Sequence, residues 1–199
     1  MGRTIDAATY EFYQQQAPHY SLNPTLGPSR HLDGFLARLP QGAAILELGC
    51  GGGRDSALMA KRGFKLDATD GIPAMVAKAS ERPLVEARLM QFDELRAENA
   101  YYAVWAHACL LHCPRAELPD VVGAIWRALC ADGLHYASFK LGDGEGRDLL
   151  GRLHNFPDAN WLRNLYQQAR FDIVEEEIFA GKASDGTQRD WLALTVRKK

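Results

Sequence analysis

Three glycines at alternate positions lie between an aliphatic run and a helical pattern, and they could form a site where a ligand meets bare backbone. Gly49, Gly51 and Gly53 follow the apolar stretch AAILEL at residues 43–48. Residues without a Cβ atom let a ligand approach the main chain closely, and the helix that follows directs its N–H groups and positive end toward the ligand. The pattern therefore predicts a loop that binds a nucleotide-like molecule.

A carboxylate follows the glycines at a distance that suits the same ligand. Asp70 ends the second apolar run, residues 64–70, about 20 residues beyond the glycines, where it could accept hydrogen bonds from both hydroxyls of a ribose. Alternatively, Asp70 caps the helix that begins at Pro73. The dinucleotide fingerprint requires a glycine where Arg54 stands, so the spacing G-x-G-x-G disfavours a nicotinamide cofactor.

The stretch HACLLHC, residues 107–113, contains residue types that bind metals or act as bases. It lacks the paired two-residue gaps of zinc sites, and we expect no metal. His107 is a candidate catalytic residue, whereas His112 is interpreted as an ordinary hydrogen-bonded histidine. Lys140, Arg147 and Arg30 either collect near the mouth of the site, where they would suit an anionic acceptor, or are solvated surface charges.

Short apolar runs that alternate with helical patterns from residue 43 onward predict the elements that would position these residues. The predicted strands are residues 43–48, 64–70, 85–90, 102–107 and 133–140, and the predicted helices begin near Arg54 and cover 73–80 and 118–129. Two further strands, 171–179 and 189–196, are joined by a segment too short for a crossover helix, which makes them antiparallel. The prediction is an α/β fold with a mostly parallel seven-stranded sheet, its last strand antiparallel, and helices on both faces.

The first 42 residues precede this alternation and are predicted to be an N-terminal helical lid. Two short helices, near residues 7–16 and 29–39, flank a turn-rich segment, and the region carries the aromatic residues Tyr13 and Tyr20. Residues 43–199 would form the single globular domain.

Composition excludes several classes of partner. The 199 residues carry a net charge of −2, which gives no basic surface for nucleic acid or an acidic membrane. No apolar run is long enough for a membrane span, no signal peptide is evident, and the four cysteines do not form a secreted disulfide framework. We expect a cytoplasmic monomer or homodimer that binds neither nucleic acid nor membrane.

These motifs resemble the class I methyltransferases that use S-adenosylmethionine. The resemblance covers residues 43–196 and depends on LELGCGGG with Glu47, on ATDGIPAM with Asp70, on VWAHACLLH, and on the closing reversed strand. The forms GCGGGRD, FYQQQAPHY and LLHCPRAEL are most similar to small bacterial methyltransferases of the tellurite-resistance type. The resemblance implies a Rossmann-like methyltransferase sheet with S-adenosylmethionine as the cofactor.

The same resemblance implies a role for individual residues. The glycines would contact the methionine moiety, Glu47 would hold the loop or the cofactor amino group, and Ala106 and His107 would line the methionine pocket. Phe92 would pack on the adenine, with Asp93 or Gln91 as its polar partner, or would be an ordinary core residue. Tyr13 and Tyr20 would cover the cofactor, or would be packing residues of the lid. The predicted cofactor-binding set is Glu47, Gly49, Cys50, Gly51, Gly53, Asp70, Gly71, Phe92, Asp93, Ala106, His107, Tyr13 and Tyr20.

The expected reaction is in-line methyl transfer to a small-molecule acceptor, for which the protein aligns the reactants and excludes water. A general base is required only if the acceptor loses a proton. The catalytic candidates are His107 and Tyr20, and the sequence does not choose among the possible histidine bases, which are His19, His31, His107, His112 and His154. Two alternatives remain: a sensor or partner subunit that binds S-adenosylmethionine without catalysis, and a nicotinamide-dependent oxidoreductase.

Overall fold

A seven-stranded sheet forms the centre of the computed structural model, which describes residues 5–20 and 28–199, with Tyr20 described by its backbone only. Its strands lie in the order β3-β2-β1-β4-β5-β9-β8, and β9 is antiparallel to both of its neighbours while the other pairs are parallel. This confirms the predicted sheet. The strands of the chain are β1 (Ala44–Leu48), β2 (Lys65–Asp70), β3 (Ala87–Leu89), β4 (Tyr101–Ala106), β5 (Leu129–Lys140), β6 (Gly144–Arg147), β7 (Leu153–Phe156), β8 (Phe171–Lys182) and β9 (Gln188–Lys198).

Helices cover both faces of the sheet, as predicted, and the side-chain alternation of the central strands divides the core between them. Ile45 and Trp105 pack against α2 and α3, whereas Leu46 and Val104 pack on the opposite face against α5 and α6. Strands covered on both faces must be apolar at successive positions, which is why β1 and β4 read as continuous apolar runs. The helices are α1 (Ala7–Tyr20), α2 (Leu32–Leu36), α3 (Arg54–Lys61), α4 (Pro73–Ser80), α5 (Leu118–Ala128) and α6 (Ala159–Gln168).

Local sequence signals account for the helices that border the site. Proline lies in the first turn of α4, where its missing N–H would have no intrahelical partner. The predicted stripe of α5 is its buried face, formed by Leu118, Val121, Val122 and Ile125. Such helices are held by the burial of one apolar face on the sheet.

A short hairpin, β6 with β7, was not anticipated from the sequence and forms a separate two-stranded sheet. Its strands have four residues each and include two glycines, so they carry little strand signal. The loop between them places Arg152 in the interior, and His154 and Asn155 on β7 are also fully buried. The hairpin follows β5 and brings polar side chains toward the carboxyl ends of the parallel strands.

The N-terminal helix α1 extends to Tyr20, beyond the predicted end at residue 16, and α2 is only five residues long. Apolar residues of α1 pack against the start of α4, where Ala17, Ile72 and Met75 form a small cluster. The side chain of Gln14 accepts a hydrogen bond from the backbone of Ala74 at 3.2 Å. The division into a lid, residues 1–42, and a domain, residues 43–199, stays a prediction.

In the part of the chain that the structure describes, no helix has both the length and the apolar character needed to span a membrane.

Candidate functional site

A cavity of about 480 Å³ opens at the carboxyl ends of β1, β2 and β4, the edge where ligands bind in open α/β sheets. Its volume is in the range that holds small-molecule cofactors. Nine of the predicted cofactor-binding residues line it: Tyr13, Glu47, Gly49, Cys50, Gly51, Asp70, Gly71, Phe92 and His107. The structure therefore brings together side chains from α1 and from the ends of four strands.

Three of the predicted residues that the structure describes do not line the cavity. Gly53 packs against α4, and Ala106 is fully buried within the sheet. Asp93 lies in the 3₁₀ turn Phe92–Glu94, where its carbonyl accepts a hydrogen bond from Arg96. The side chain of Tyr20 lies outside the described residues. A cofactor contact for each of these four stays a prediction.

The three alternate glycines of the loop, Gly49, Gly51 and Gly53, serve two different purposes. A Cβ atom at Gly49 would collide with the side chain of Cys109, and one at Gly53 would lie 3.0 Å from the backbone of Ala79. Only Gly51, with φ at +53°, would direct a Cβ atom into open space, and that space belongs to the cavity. The first and third glycines permit close packing of the chain, whereas the middle one leaves room for a ligand against the backbone.

Asp70 joins the two loops that border the cavity. One carboxylate oxygen accepts the Gly51 N–H at 2.9 Å and the other accepts the Ile72 N–H at 3.0 Å. Burial raises the pKa of Asp70 to about 6, and the backbone donors oppose that rise. Asp70 does not cap α4, because the N-cap of that helix is Ile72 itself; its two bonds instead tie the glycine loop to the segment before α4.

Acidic side chains are concentrated on one wall of the cavity. Glu47 is buried and accepts a hydrogen bond from the Ser56 hydroxyl. Asp55 accepts hydrogen bonds from the Ser29 N–H at 2.9 Å and from the Trp105 indole at 3.0 Å. Burial and the nearby Asp55 raise the pKa of Glu47 to about 8. Together with Asp70, these groups make the wall suited to a cationic ligand.

An apolar wall lies beside the acidic one and could not be identified from the glycine motif alone. Its residues come from the start of α4 and from the segment after β3: Ile72, Met75, Met90 and Phe92. Gln91, which the sequence offered as an alternative to Asp93 for the polar contact with adenine, also lines the cavity beside Phe92. Sulfur-containing and aromatic side chains of this kind suit a flat ring.

His107 lies at the end of β4 among aromatic rings. It lies near Trp105 and Tyr136 in stacked arrangements, and its Nδ1 atom is 3.3 Å from the Ser138 hydroxyl. Because Ser138 accepts the Ala108 N–H at 2.9 Å, its own proton is available to His107. Burial lowers the pKa of His107 to about 4, which keeps the ring neutral.

His112 also lines the cavity, although the sequence favoured an ordinary hydrogen-bonded histidine over a general base at this position. Both of its ring nitrogens are hydrogen-bonded: Nε2 lies 2.8 Å from the Tyr13 hydroxyl and Nδ1 lies 2.7 Å from the Leu153 carbonyl oxygen. The Tyr13 hydroxyl also accepts a hydrogen bond from Arg152 at 2.7 Å. The interpretation was right about hydrogen bonding and missed the position on the wall, because the hairpin that supplies Leu153 and Arg152 was not anticipated.

The potential metal ligands of residues 107–113 are spread over different contacts. Cys109 donates to the carbonyl oxygen of Leu48, and Cys113 donates to its neighbour Pro114. Within residues 5–20 and 28–199, no three His, Cys, Asp or Glu side chains are placed to hold a metal ion. The basic residues singled out earlier also separate: Lys140 is buried, Arg147 pairs with Asp6, and Arg30 pairs with Glu177.

Comparison with known proteins places the chain among methyltransferases. Residues 45–133 match a family model described as a methyltransferase domain. A ubiquinone biosynthesis O-methyltransferase of Xanthomonas oryzae pv. oryzae strain PXO99A is 36% identical over 215 residues, which cover 92% of this chain and 86% of that protein. The match to the protein of the same name from Xanthomonas axonopodis pv. citri is shorter: it spans 50% of this chain and 43% of that relative.

Solved structures share the fold. The 1,6-didemethyltoxoflavin-N1-methyltransferase of Burkholderia thailandensis, solved with 1,6-didemethyltoxoflavin and S-adenosylhomocysteine bound, superposes with a TM-score of 0.76 at 22% identity and covers 97% of this chain and 88% of that one. TehB from Haemophilus influenzae superposes with a TM-score of 0.73 at 17% identity and covers 94% of this chain and 67% of that one. At such identities the likeness is one of fold.

Proposed function

The chain belongs to the S-adenosylmethionine-dependent methyltransferases, and from this premise we propose that it methylates a hydroxyl oxygen of a small-molecule acceptor. The observation that carries the proposal is the open space over Gly51, bordered by the carboxylate of Asp70. The choice of oxygen as the methyl acceptor is supported by the Xanthomonas relatives, which are O-methyltransferases by name.

The residues around the cavity fit this cofactor. The bare backbone at Gly51 gives room for the amino acid portion, and the acidic wall with Glu47 suits a ligand that carries a sulfonium and an ammonium group. Phe92 and Met75 offer apolar surface to a purine. When bound, S-adenosylmethionine supplies a methyl group that is already activated for transfer.

The chain's own residues would then orient the reactants and exclude water. Asp70 would fix the two loops that hold the cofactor, and it retains lone pairs for ribose hydroxyls. Tyr13 on α1 lines the cavity and would help to close it, in keeping with the proposed lid.

Calorimetry with four ligands tests the proposal. We expect S-adenosylmethionine and S-adenosylhomocysteine to bind, NAD and NADP not to bind comparably, and labelled methyl groups to appear on a phenol or other hydroxyl compound. Tighter binding of NAD would favour the oxidoreductase, and binding with no transfer to any acceptor would favour the sensor.

Replacement of Asp70 with asparagine is expected to weaken cofactor binding by about 1.5–3 kcal/mol, because a charge-assisted acceptor is lost. The amide would also place a donor against one of the two backbone N–H groups, so the melting temperature should fall as well. Calorimetry and thermal unfolding of the variant measure both effects.

A matched control for that variant is Asp67→Asn on the same strand, because Asp67 pairs with Arg88 away from the cavity. Its affinity for the cofactor should equal that of the wild type. If Asp70 accepts ribose hydroxyls directly, Asp70→Asn should weaken the binding of a deoxyribose analogue of S-adenosylhomocysteine less than it weakens the binding of S-adenosylhomocysteine itself. An equal loss with both ligands would limit Asp70 to organising the loops.

The preference for S-adenosylmethionine over S-adenosylhomocysteine should increase with pH. The two carboxyl groups with raised pKa values, Glu47 at about 8 and Asp70 at about 6, become negative as pH rises. S-adenosylmethionine carries one more positive charge than its product, so ionised carboxylates favour it and its binding should release protons. We expect the affinity ratio to rise by about tenfold between about pH 5.5 and pH 8.5.

Calorimetry in buffers that differ in ionisation enthalpy measures the proton release directly. In Glu47→Gln, the affinity ratio of S-adenosylmethionine to S-adenosylhomocysteine should no longer change with pH above about pH 7. An affinity ratio that does not change with pH would contradict the assignment of these carboxylates to the cationic part of the ligand.

A further inference from the structure

Three residues from three separate elements form a hydrogen-bonded chain at the cavity wall. Arg152 Nη1 donates to the Tyr13 hydroxyl oxygen at 2.7 Å, and that oxygen lies 2.8 Å from His112 Nε2. His112 Nδ1 lies 2.7 Å from the carbonyl oxygen of Leu153. Tyr13 and His112 both line the cavity, whereas Arg152 is 1% exposed behind them.

The partners fix the direction of each hydrogen bond. A carbonyl oxygen only accepts, so His112 carries its proton on Nδ1. Burial, followed by the neighbouring His154, lowers the pKa of His112 well below its ordinary value, and the ring is neutral with a bare Nε2. Tyr13 must therefore donate its proton to Nε2 while its oxygen accepts from Arg152.

This arrangement polarises the Tyr13 phenol from both sides. The guanidinium stabilises negative charge on the phenol oxygen, and the bare Nε2 of the imidazole already accepts the hydrogen bond of the phenol proton. Hydrogen bonds to charged donors are the strongest in proteins, and a base already bonded to the proton requires no further reorganisation. The Tyr13 hydroxyl at the cavity wall can thus receive a proton from a ligand while it transfers its own proton to His112.

We propose that Tyr13 and His112 form the proton-accepting relay of the transfer, so that the acceptor class is a phenol or enol whose hydroxyl loses its proton in the reaction. This inference rests on the proposed function. The acceptor hydroxyl gives its proton to the Tyr13 oxygen as Tyr13 passes its own proton to His112 Nε2. The acceptor oxygen forms the new bond to the methyl carbon, and the electron pair of the broken carbon–sulfur bond stays on sulfur.

The net charge of the cavity is conserved on this route, although burial, His154, Arg152 and Lys140 all lower the pKa of His112 and so disfavour its protonated form. Transfer removes the positive charge of the sulfonium from the cavity, and the proton on His112 puts a positive charge back, next to the carbonyl oxygen of Leu153. The charged and titratable groups that face the relay are Arg152, Asp148 and His154 of the β6–β7 hairpin and Lys140 of β5. Asp148 bonds to Arg152 at 2.5 Å and compensates its charge. In the relay Tyr13 is the catalytic residue, and His112 acts through it.

The test measures transfer from labelled S-adenosylmethionine to catechol, to 4-hydroxybenzoate and to thiophenol with Tyr13→Phe and His112→Gln. Loss of a general base typically lowers the rate by about 10²–10⁴-fold, so kcat for the phenols should fall by about 100-fold or more. Thiophenol is ionised at neutral pH and needs no base, so the ratio of phenol to thiophenol rates at saturating S-adenosylmethionine should fall by about 100-fold in both variants, whatever either variant does to cofactor binding.

His135 and Tyr166 provide matched controls. The ring nitrogens of His135 bond to the Val104 carbonyl oxygen at 3.0 Å and to the Tyr166 hydroxyl at 3.1 Å, the same pattern as in His112, but neither residue lines the cavity. His135→Gln and Tyr166→Phe should leave the ratio of phenol to thiophenol rates unchanged. An equal drop in these controls would make the effect a general loss of packing.

Nitrogen NMR of the imidazoles gives a readout independent of turnover. We expect the neutral Nδ1–H tautomer for His112 at neutral pH, and a shift of its Nε2 resonance in Tyr13→Phe that His135 does not show. A protonated His112 at neutral pH, the opposite tautomer, or unchanged phenol rates in Tyr13→Phe would overturn the relay while leaving methyl transfer intact. A wild-type protein that methylates none of the phenols would overturn the relay as well, and one that binds no S-adenosylmethionine would overturn the proposed function itself.

Discussion

Gly51→Val is expected to weaken S-adenosylmethionine binding by at least about 100-fold, or about 3 kcal/mol, while the protein stays folded. A Cβ atom at this position meets no protein atom within 4 Å and points into the cavity, so a branched side chain would occupy space that the ligand needs. The φ angle of +53° adds a backbone cost to any residue with a side chain. Calorimetry gives the affinity, and thermal unfolding gives the stability.

Gly186→Val separates the backbone cost from the loss of ligand space. Gly186 lies in the turn between β8 and β9, has a φ angle of +87°, and likewise has nothing within 4 Å of an added Cβ atom. Both variants should therefore lose stability to a similar degree, and only Gly51→Val should lose affinity. Wild-type affinity in Gly51→Val would mean that the glycine loop is only a turn.

Asp148→Asn is expected to destabilise the folded protein by about 3–5 kcal/mol, the cost of leaving one partner of a buried ion pair without its counter-charge. The side chains of Asp148 and Arg152 are each 1% exposed, and the carboxylate accepts two bonds from the guanidinium and one from His154. Urea unfolding, with the slope checked for two-state behaviour, measures the loss.

Two further variants show whether the loss comes from the unpaired charge. Asp33→Asn breaks a pair with Arg62 in which both side chains are exposed, and it should change stability by no more than about 1 kcal/mol. Arg152→Met added to Asp148→Asn should restore part of the stability, since the buried charge is then gone. A double variant less stable than the single one would contradict this account.

The pH dependence of the wild type provides another check on the same pair. Burial acts to raise the pKa of Asp148, but the bonds from Arg152 outweigh burial and hold the pKa at about 2, below the ordinary value of 3.8. The stabilisation is therefore complete above about pH 4 and is lost as pH falls from about 4 toward 2.

The sheet and its covering helices could be predicted because their patterns are local and strong. The stripe of Leu118, Val121, Val122 and Ile125 indicates α5, and the turn at Asp185 and Gly186 forces the antiparallel pair of β8 and β9. Such patterns arise because one face of a helix or strand is buried. They involve only residues close together in the sequence, so the sequence alone reveals them.

The β6–β7 hairpin could not be predicted because its stability comes from contacts far along the chain. His154 and Asn155 are polar yet fully buried, and the backbone of Leu153 bonds to Thr9 on α1. A sequence pattern indicates which residues can be buried, but not which polar residues find partners in the interior. The relay of Tyr13, His112 and Arg152 was missed for the same reason.

Within the candidate site, residue types were easier to predict than their individual roles. The glycine motif and Asp70 identified the cavity, but the role of Gly53 depends on how closely α4 approaches, and only the structure shows its contact with Ala79. Asp70 was assigned either to a ligand or to a helix cap, whereas its two oxygens bond to two different loops.

The ties between α1 and the hairpin mean that these distant segments form one unit of local unfolding. Arg147 binds Asp6 through two bonds of 2.9 Å, and the Leu153 N–H donates to Thr9 at 2.7 Å. In native-state hydrogen exchange, amides of α1 and of β6 and β7 should therefore open with a common free energy, well below that of β1 and β4. Access to the cavity would then be set by the rate at which this unit opens, rather than by movement of the N-terminal helix alone.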